Sequence, residues 1–436
     1  MYEVIVMETK SSFRLSELEF LTLDDLEPEG KRILVRVDIN TPVDPNTGKL
    51  IEKTRMEEAA VTLRALSKSK VVVCSHQGRV GEKDFVSLEE HAKVLSSVMG
   101  KKVMFVDDVI GPAARKQAES LQDGDVLLLD NLRLMSEETQ QYPSVEAAAK
   151  TFVVQRLWWL FDGFVLDAFP TAHRAHPSII GFPYYLPTAA GILVMKELKQ
   201  LQKLELVQKG PFTAVLGGSK VRDRLEALEA LLENRRSDKV LVTGVLALVF
   251  LKAAGKYHGK IEKVDDWAVQ KAKELLQKYP SVIELPKDLA IQRNGERVEL
   301  PISEIPPDAQ PLDIGSRTIR EYSKIIRSSG TVFMSGPPGA FELEGFDVGT
   351  RELLHALAAS FGTTIVSGGH LATALDRLGL NKWIDHVSSA GGALIQALAG
   401  KELPLLKALE YSARKMKEGG YREFLERRAV APSASP

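Results

Sequence analysis

Short runs of aliphatic and β-branched residues recur along the chain, and eight of them stop abruptly at clusters of Gly, Arg, His, Asp or Lys. They are VRVDIN (35–40), VVVCSHQGR (71–79), LLLDNLR (127–133), FVLDAFPTAHRAH (164–176), TAVLGGSK (213–220), VLVTG (240–244), TVFMSGPPGAFE (331–342) and TTIVSGGH (363–370). Each reads as a strand that ends in polar loop chemistry. Between them lie segments of helical period. Ser87 with Glu90 forms a capping-box pattern, apolar residues follow at Leu88, Ala92, Leu95 and Met99, and Gly100 stands where a helix end favours a left-handed residue. A strand is expected at once, over 103–106. The same β-then-α rhythm continues to about Leu398, which predicts an α/β fold with parallel sheets and crossover helices. Such sheets bind ligands at the carboxyl ends of their strands, so the strand ends hold the candidate site.

The strand ends divide by chemistry. Up to His176 they carry Arg and His; from Gly217 onward they carry glycines with few charges. Between the halves, residues 189–208 form an unbroken helical pattern, expected to be a rigid connector between two lobes. The expected organisation is a first lobe over 1–188, a connecting helix over 189–207, a second lobe over 208–402 and a C-terminal segment over 403–436. With 436 residues, each lobe is long enough to bury its own core.

Charge and cysteine content narrow the function. The 57 basic and 58 acidic residues leave a net charge of -1, which argues against a nucleic-acid or anionic-membrane partner. Positive charge used for binding must therefore be local. The one cysteine, Cys74, cannot form an intrachain disulfide, and MYEVIVMETK lacks the charged start and apolar core of a signal peptide. A cytoplasmic protein is expected. The most apolar stretch, 240–251, falls well short of the roughly 20 residues of a membrane span.

In the first half Arg36, Arg55, His76, Arg79, Arg133, His173 and Arg174 stand on or just beyond strand ends. Guanidinium groups gathered around one crevice repel one another unless an anion lies between them, and their planar forks suit phosphate and carboxylate. A small polyanion is the expected ligand. The bland reading pairs each Arg with a nearby acid, as Arg36 with Asp38. His173 and His176, at i, i+3, lack Cys or Glu at ligand spacing and are read as anion donors or packing residues rather than metal ligands. In the second half GGSKVRDR (217–224), GPPGAFE (336–342) and SGGH (367–370) bring paired glycines to strand-helix turns, where backbone N–H groups and a helix N-terminus can meet nucleotide phosphates. No Walker or GxGxxG pattern is present, and singly each glycine pair is ordinary loop chemistry.

Taken in order, VRVDIN, SHQGR, DNLR, DAFPTAHRAHPS, LPTAAG, LGGSKVRDR, LDIGSRT, GPPGAFE and SGGH resemble the phosphoglycerate kinase family, and SHQGR is most similar to its archaeal-type members. The resemblance runs from about Lys31 to Leu403. It implies two Rossmann-like lobes joined by a hinge helix, a C-terminal segment packed back on the first lobe, and reversible phosphoryl transfer between 1,3-bisphosphoglycerate and ADP, giving 3-phosphoglycerate and ATP with Mg²⁺. The resemblance puts Asp38, Ile39, Asn40, Arg55, His76, Gln77, Gly78, Arg79, Arg133 and Arg174 against phosphoglycerate. Gly217, Lys220, Arg224, Glu342, Ser367, Gly368, Gly369 and His370 would meet the nucleotide, with Arg55, Lys220 and Arg224 acting on the phosphoryl group in transfer. A monomer whose lobes close over both substrates is implied.

The second half departs from the family pattern. Arg224 stands for the usual Lys, Ser335 for Asn, Ser367 for Gly, Leu371 for Thr and Val245 for Gly, while Leu166 replaces Asn in the first half. Weak, base-tolerant nucleotide binding is expected from these changes. An alternative is a phosphoglycerate-binding protein of the same fold that has lost efficient transfer.

Overall fold

A computed structural model describes residues 18–44, 47–207, 210–234, 237–388 and 390–422. They form two compact units, one of residues 18–199 with 402–422 and one of residues 200–401. Helix Ile192–Val207 runs across that division.

The first unit is built on β1 (Arg32–Val37), β2 (Lys70–Cys74), β3 (Met104–Val106), β4 (Val126–Leu129), β5 (Gly163–Asp167) and β6 (Thr188–Ala190). They pair in the order β3-β4-β2-β1-β5-β6, all parallel. The chain moves outward from β1 through β2, then crosses to the far side of β1 with β5. The reversal opens a crevice at the carboxyl ends of β1 and its neighbours. Ile33, Val35, Val37 and Ile39 alternate with Leu34 and Arg36, and the former pack with Met56, Leu63, Val71 and Val73 in one core. Each such buried aliphatic side chain stabilises by about 1.5–3 kcal/mol relative to exposure.

Two local expectations shift. The helix foreseen at Ser87 runs over Glu89–Met99 with Leu88 as its N-cap, because the Leu88 N–H donates to buried Asp130 Oδ1 (2.8 Å) while Ser87 Oγ accepts only from Glu89 N (3.2 Å). Its end at Gly100, with φ of 67°, is as expected. The helical pattern over 189–208 begins later. Thr188–Ala190 instead adds an edge strand beside β5, Gly191 N–H bonds Leu166 O (2.8 Å), and the helix starts at Ile192; Gln208 lies outside the described residues. Asp167, at the end of β5, anchors this helix start by accepting from Leu193 N (2.9 Å) and Val194 N (3.2 Å). Helix Pro404–Lys417 packs on the first unit, where Ser412 Oγ accepts from Thr188 N (2.7 Å) and Leu405 N donates to Ala172 O (3.1 Å).

The second unit holds β7 (Phe212–Leu216), β8 (Lys239–Val242), β9 (Ile283–Glu284), β10 (Asp288–Arg293), β11 (Glu296–Pro301), β12 (Pro311–Ile314), β13 (Thr331–Ser335), β14 (Thr363–Ser367) and β15 (His386–Ser388). One parallel sheet has the order β15-β14-β13-β7-β8-β9, reversing between β7 and β13. An antiparallel set, β11-β10-β12, interrupts the expected rhythm. Its hairpin turns at Asn294 and Gly295, both with positive φ (54° and 82°), the pairing a tight two-residue turn demands. Among the described residues no helix is long and apolar enough to cross a membrane.

Asp167 also carries a pH signature. It is buried, its Oδ2 lacks a hydrogen-bond partner, and burial pushes its carboxyl up to about 6 against the opposing bonds from Thr62, Val194 and Leu193. The unfolded carboxyl titrates near 3.8, so the native state is favoured below that value and loses this advantage as pH rises through about 6. Asp167→Asn keeps one oxygen for the helix N–H groups and cannot ionise. Its unfolding free energy should gain on the parent by roughly 2–3 kcal/mol between about pH 4 and about pH 7 in denaturant melts. A difference that stays constant across that range contradicts the assignment.

Candidate active site

Asp38, the residue directly after β1, is buried, accepts from Asn40 N (3.0 Å) and forms an ion pair with Arg55. Burial alone would raise its carboxyl, but Arg55, then His76 and Arg36, outweigh it and hold the group well below the usual carboxylate range. The partner that proximity in sequence suggested for Asp38, Arg36, is engaged elsewhere. Arg36 is buried within β1, where Nε donates to Ser178 Oγ (2.9 Å), Nη1 to Val37 O, and Nη2 to His76 Nδ1 (3.1 Å). A guanidinium only donates, so His76 Nδ1 is an acceptor and Nε2 carries the proton. Burial, with Arg36, Arg133 and Arg174 adding to it against Asp38, drives the His76 pKa far below its ordinary value. His76 is therefore a neutral N–H donor at physiological pH.

Beside this cluster Arg79, Arg133, Arg174 and His176 line one concave site of about 610 Å³ with Ser136, Thr139 and Gln141. Arg133 falls to about 10, first from burial and then from repulsion by Arg174 and Arg36. His176 falls to about 3 from burial and the same arginines, and so adds no charge near neutrality. The offsetting carboxylate is Glu138, fully buried, which accepts from Ser178 N (3.1 Å) and from the Ser178 hydroxyl. Burial raises its own pKa against the pull of Arg36. The crevice thus gathers more cationic than anionic groups and suits a small polyanion. Two of the sequence candidates turn away from it. Ile39 packs its side chain into the core and donates its N–H to Ser75 Oγ (3.2 Å). Gln77 spends its amide inside the protein. Gly78 adopts φ of 66°, and a Cβ there would lie 2.2 Å from Asp84 O, so glycine is required for the turn toward Arg79.

In the second unit the loops after β7, β13 and β14 are tied together. Gly217 N donates to Ser335 O (2.9 Å), Gly218 N to Pro337 O (3.1 Å), and the Ser335 hydroxyl to Ser367 O (3.1 Å). A Cβ on Gly336 would lie 2.1 Å from Gly217 O, so the glycines here serve close backbone packing. Gly368 N is likewise used, by Ser388 O (2.9 Å). Gly369 and His370 are exposed in the first turn of helix Gly369–Leu378, ahead of its first internal bond from Ala372 N to Gly368 O, and their N–H groups are open to a phosphate. His370 Nδ1 lies 3.7 Å from Glu342 Oε1. Leu371 is buried in the core, which accounts for an apolar residue there. Lys220 caps helix Val221–Glu233 and is exposed, one turn before Arg224. Arg224 is buried, its Nε has no hydrogen-bond partner, and burial, against Asp223, lowers it to about 10.

Sequence reasoning missed Glu138, Ser178, Ser75 and Asn131 in the first unit, and Arg297 and Asp313 in the second. Arg297 Nη1 bonds Asp313 Oδ2 (2.8 Å) and Gly345 O (3.0 Å), and Asp313 Oδ2 accepts from Gly349 N (2.8 Å), bracing the loop that follows β13. Asn131, Ser75 and Asp313 lie inside the strand-end motifs DNLR, SHQGR and LDIGSRT, where position alone could have singled them out. Ser178 likewise closes the motif DAFPTAHRAHPS, whereas Arg297 and Glu138 carry no such signal.

A family model described as Phosphoglycerate kinase matches residues 23–401. The phosphoglycerate kinase of Methanothermus fervidus is 42% identical over 406 residues, spanning 91% of this chain and 98% of that relative. That of Methanothermobacter thermautotrophicus is 43% identical over 404 residues, 90% and 97% of the two chains. A crystal structure of phosphoglycerate kinase from Pyrococcus horikoshii superposes with a TM-score of 0.83 at 36% identity, covering 91% of this chain and all (100%) of that one. With strand-end chemistry of this kind in two parallel α/β sheets, and similarity that extends over nearly the whole length, the chain belongs to the phosphoglycerate kinase family.

Proposed function

We propose that the protein transfers a phosphoryl group reversibly between 1,3-bisphosphoglycerate and ADP, giving 3-phosphoglycerate and ATP, with phosphoglycerate in the crevice of the first unit and nucleotide at the glycine-rich loops of the second. The observation that carries the assignment of ligand to site is the crowding of Arg79, Arg133 and Arg174 on one cavity beside a neutral His76 donor. Arg79, Arg133 and Arg174 hold the phosphate bidentately, His76 Nε2–H and the Asn40 amide meet the glycerate end, and Arg55, oriented by Asp38, faces the phosphoryl group. The relatives' names favour the kinase over a binding protein that has lost transfer.

In the second unit the N–H groups of Gly369 and His370 receive the phosphate chain, Glu342 the ribose, and Lys220 with Arg224 the oxygens that gain charge during transfer. Buried Arg224, with Nε unpartnered, is a desolvated cation whose attraction for a phosphoryl oxygen is strengthened by its low-dielectric surroundings. Among the described residues no group of three His, Cys, Asp or Glu could hold a metal, which suits a Mg²⁺ that arrives on the nucleotide phosphates and takes few protein ligands. Glu342 is the carboxylate beside the phosphate-facing helix start. When bound, the ion would neutralise phosphate charge. Transfer of this type needs in-line placement and charge neutralisation rather than a covalent intermediate. Because each substrate is assigned to its own unit, reaction requires closure about the connecting helix. A cytoplasmic monomer is part of the same proposal.

In a coupled assay with 1,3-bisphosphoglycerate and ADP the parent should turn over, and Arg224→Ala should lose kcat on the order of 100-fold with a much smaller change in KM. An unchanged kcat removes Arg224 from the transfer step, and a parent inactive with every nucleotide removes the kinase reading. Calorimetric titration of 3-phosphoglycerate should show Arg174→Ala binding about 1.5–3 kcal/mol more weakly than the parent. Equal affinity would mean that the anion lies elsewhere.

A further inference from the structure

Gln77 stands among the motif residues expected to touch ligand, yet it is fully buried and its amide is engaged within the protein. Oε1 accepts from Thr41 N (3.0 Å) and faces His91 Nε2 (3.0 Å), while Nε2 donates to Thr41 O (2.9 Å) and Asp84 O (3.2 Å). Its backbone is held as tightly: Gln77 N donates to Asn131 Oδ1 (3.1 Å) and Gln77 O accepts from Asn131 Nδ2 (2.8 Å). The orientation of the amide follows, because two of its contacts are carbonyl oxygens and only the NH₂ end can donate to them. Since Oε1 can only accept, His91 must carry its proton on Nε2.

His91 sits in helix Glu89–Met99, fully buried, with Nδ1 unpartnered. An imidazolium would need an acceptor at Nδ1, so the neutral ring suits its surroundings. Burial lowers it to about 4, against the pull of Asp130.

Around this pair the loops after β1, β2 and β4 converge. Asn40 Oδ1 accepts from Gly78 N (3.0 Å), Thr41 follows Asn40, His76 and Arg79 flank the Gln77-Gly78 turn, and Arg133 N donates to Asn131 Oδ1 (3.1 Å). Each loop carries a residue of the basic crevice. Gln77 therefore joins their registers, reaching the loop after β1 through its side-chain amide and the loop after β4 through its backbone.

We propose that Gln77, oriented by the His91 Nε2–H, is a positioning residue that sets the affinity for phosphoglycerate through Asn40, His76, Arg79 and Arg133 without touching the ligand. The inference rests on the phosphoglycerate reading of that crevice. Gln77→Leu leaves Thr41 N–H, Thr41 C=O and His91 Nε2–H without their partner in a buried place, which loosens the loops after β1 and β2, and shifts the Gln77 backbone on which Asn131 is seated. His91→Phe fills the helix position and removes a single donor.

Steady-state KM values for 3-phosphoglycerate and ATP, with kcat, are measured for the parent, Gln77→Leu, His91→Phe, His91→Gln and Arg133→Ala. The KM for 3-phosphoglycerate should rise about tenfold in Gln77→Leu and about threefold in His91→Phe, while the KM for ATP stays within about twofold and His91→Gln, which retains an N–H donor, remains close to the parent. A 3-phosphoglycerate KM unchanged in both Gln77→Leu and His91→Phe, both KM values moving together, or a loss confined to thermal stability would overturn the proposal. If Gln77→Leu does not fold, the His91 pair decides by the same criteria. Arg133→Ala separates the two layers. If it weakens 3-phosphoglycerate and the Gln77 and His91 variants do not, the positioning role alone fails; if it too leaves the KM unchanged, the crevice reading fails and the inference with it.

Discussion

The repulsion among Arg36, Arg79, Arg133 and Arg174 is the constraint around which the first unit is arranged. Charges of one sign at the carboxyl ends of β1, β2 and β4 and after β5 repel one another, and at Arg133 the repulsion from Arg174 and Arg36 adds to burial in lowering the pKa. The fold tolerates them through two carboxylates. Asp38 pairs with Arg55, and buried Glu138 reaches Arg36 by way of Ser178. What is left over is a field that a phosphate and a carboxylate can satisfy together. His76 fits the same logic: a protonated imidazole would add to the crowding, while the neutral ring accepts from Arg36 at Nδ1 and keeps an Nε2–H donor.

The loops proposed to receive the nucleotide are built differently. Those after β7, β13 and β14 are locked by backbone bonds and by glycines that permit close approach, so several N–H groups are spent on the lock itself. The donors that stay open are those of the helix start at Gly369 and His370, and the cations at the start of helix Val221–Glu233 are Lys220 and the desolvated Arg224. Ser335, one of the departures from the family pattern, joins two of these loops through its carbonyl and hydroxyl.

The eight apolar runs were legible as strands because each is buried nearly end to end, and the polar residues that follow them mark the loops at one edge of each sheet. The strands that escaped notice are short or half-exposed. β6, β9 and β15 have two or three residues each, and β11 alternates Glu and Arg with apolar positions, which mimics surface helix. The Asn294-Gly295 turn was a readable hairpin signal that the regular β-then-α rhythm concealed. In the site, the charged residues were visible because guanidinium and imidazole groups rarely cluster without a ligand. Side-chain direction was not: nothing in SHQGR tells that Gln77 turns inward while Arg79 turns out, since that depends on His91, Thr41 and Asn131 from distant segments.

The most direct measurement of the central claim is calorimetric titration of the unmodified protein with 3-phosphoglycerate at increasing salt. An excess of positive over negative charge around the crevice predicts one site per chain, affinity that falls steadily as ionic strength rises from about 0.02 to about 0.3 M, and far weaker binding of glycerate, which lacks the phosphate. Affinity indifferent to salt, or equal affinity for glycerate, would contradict it.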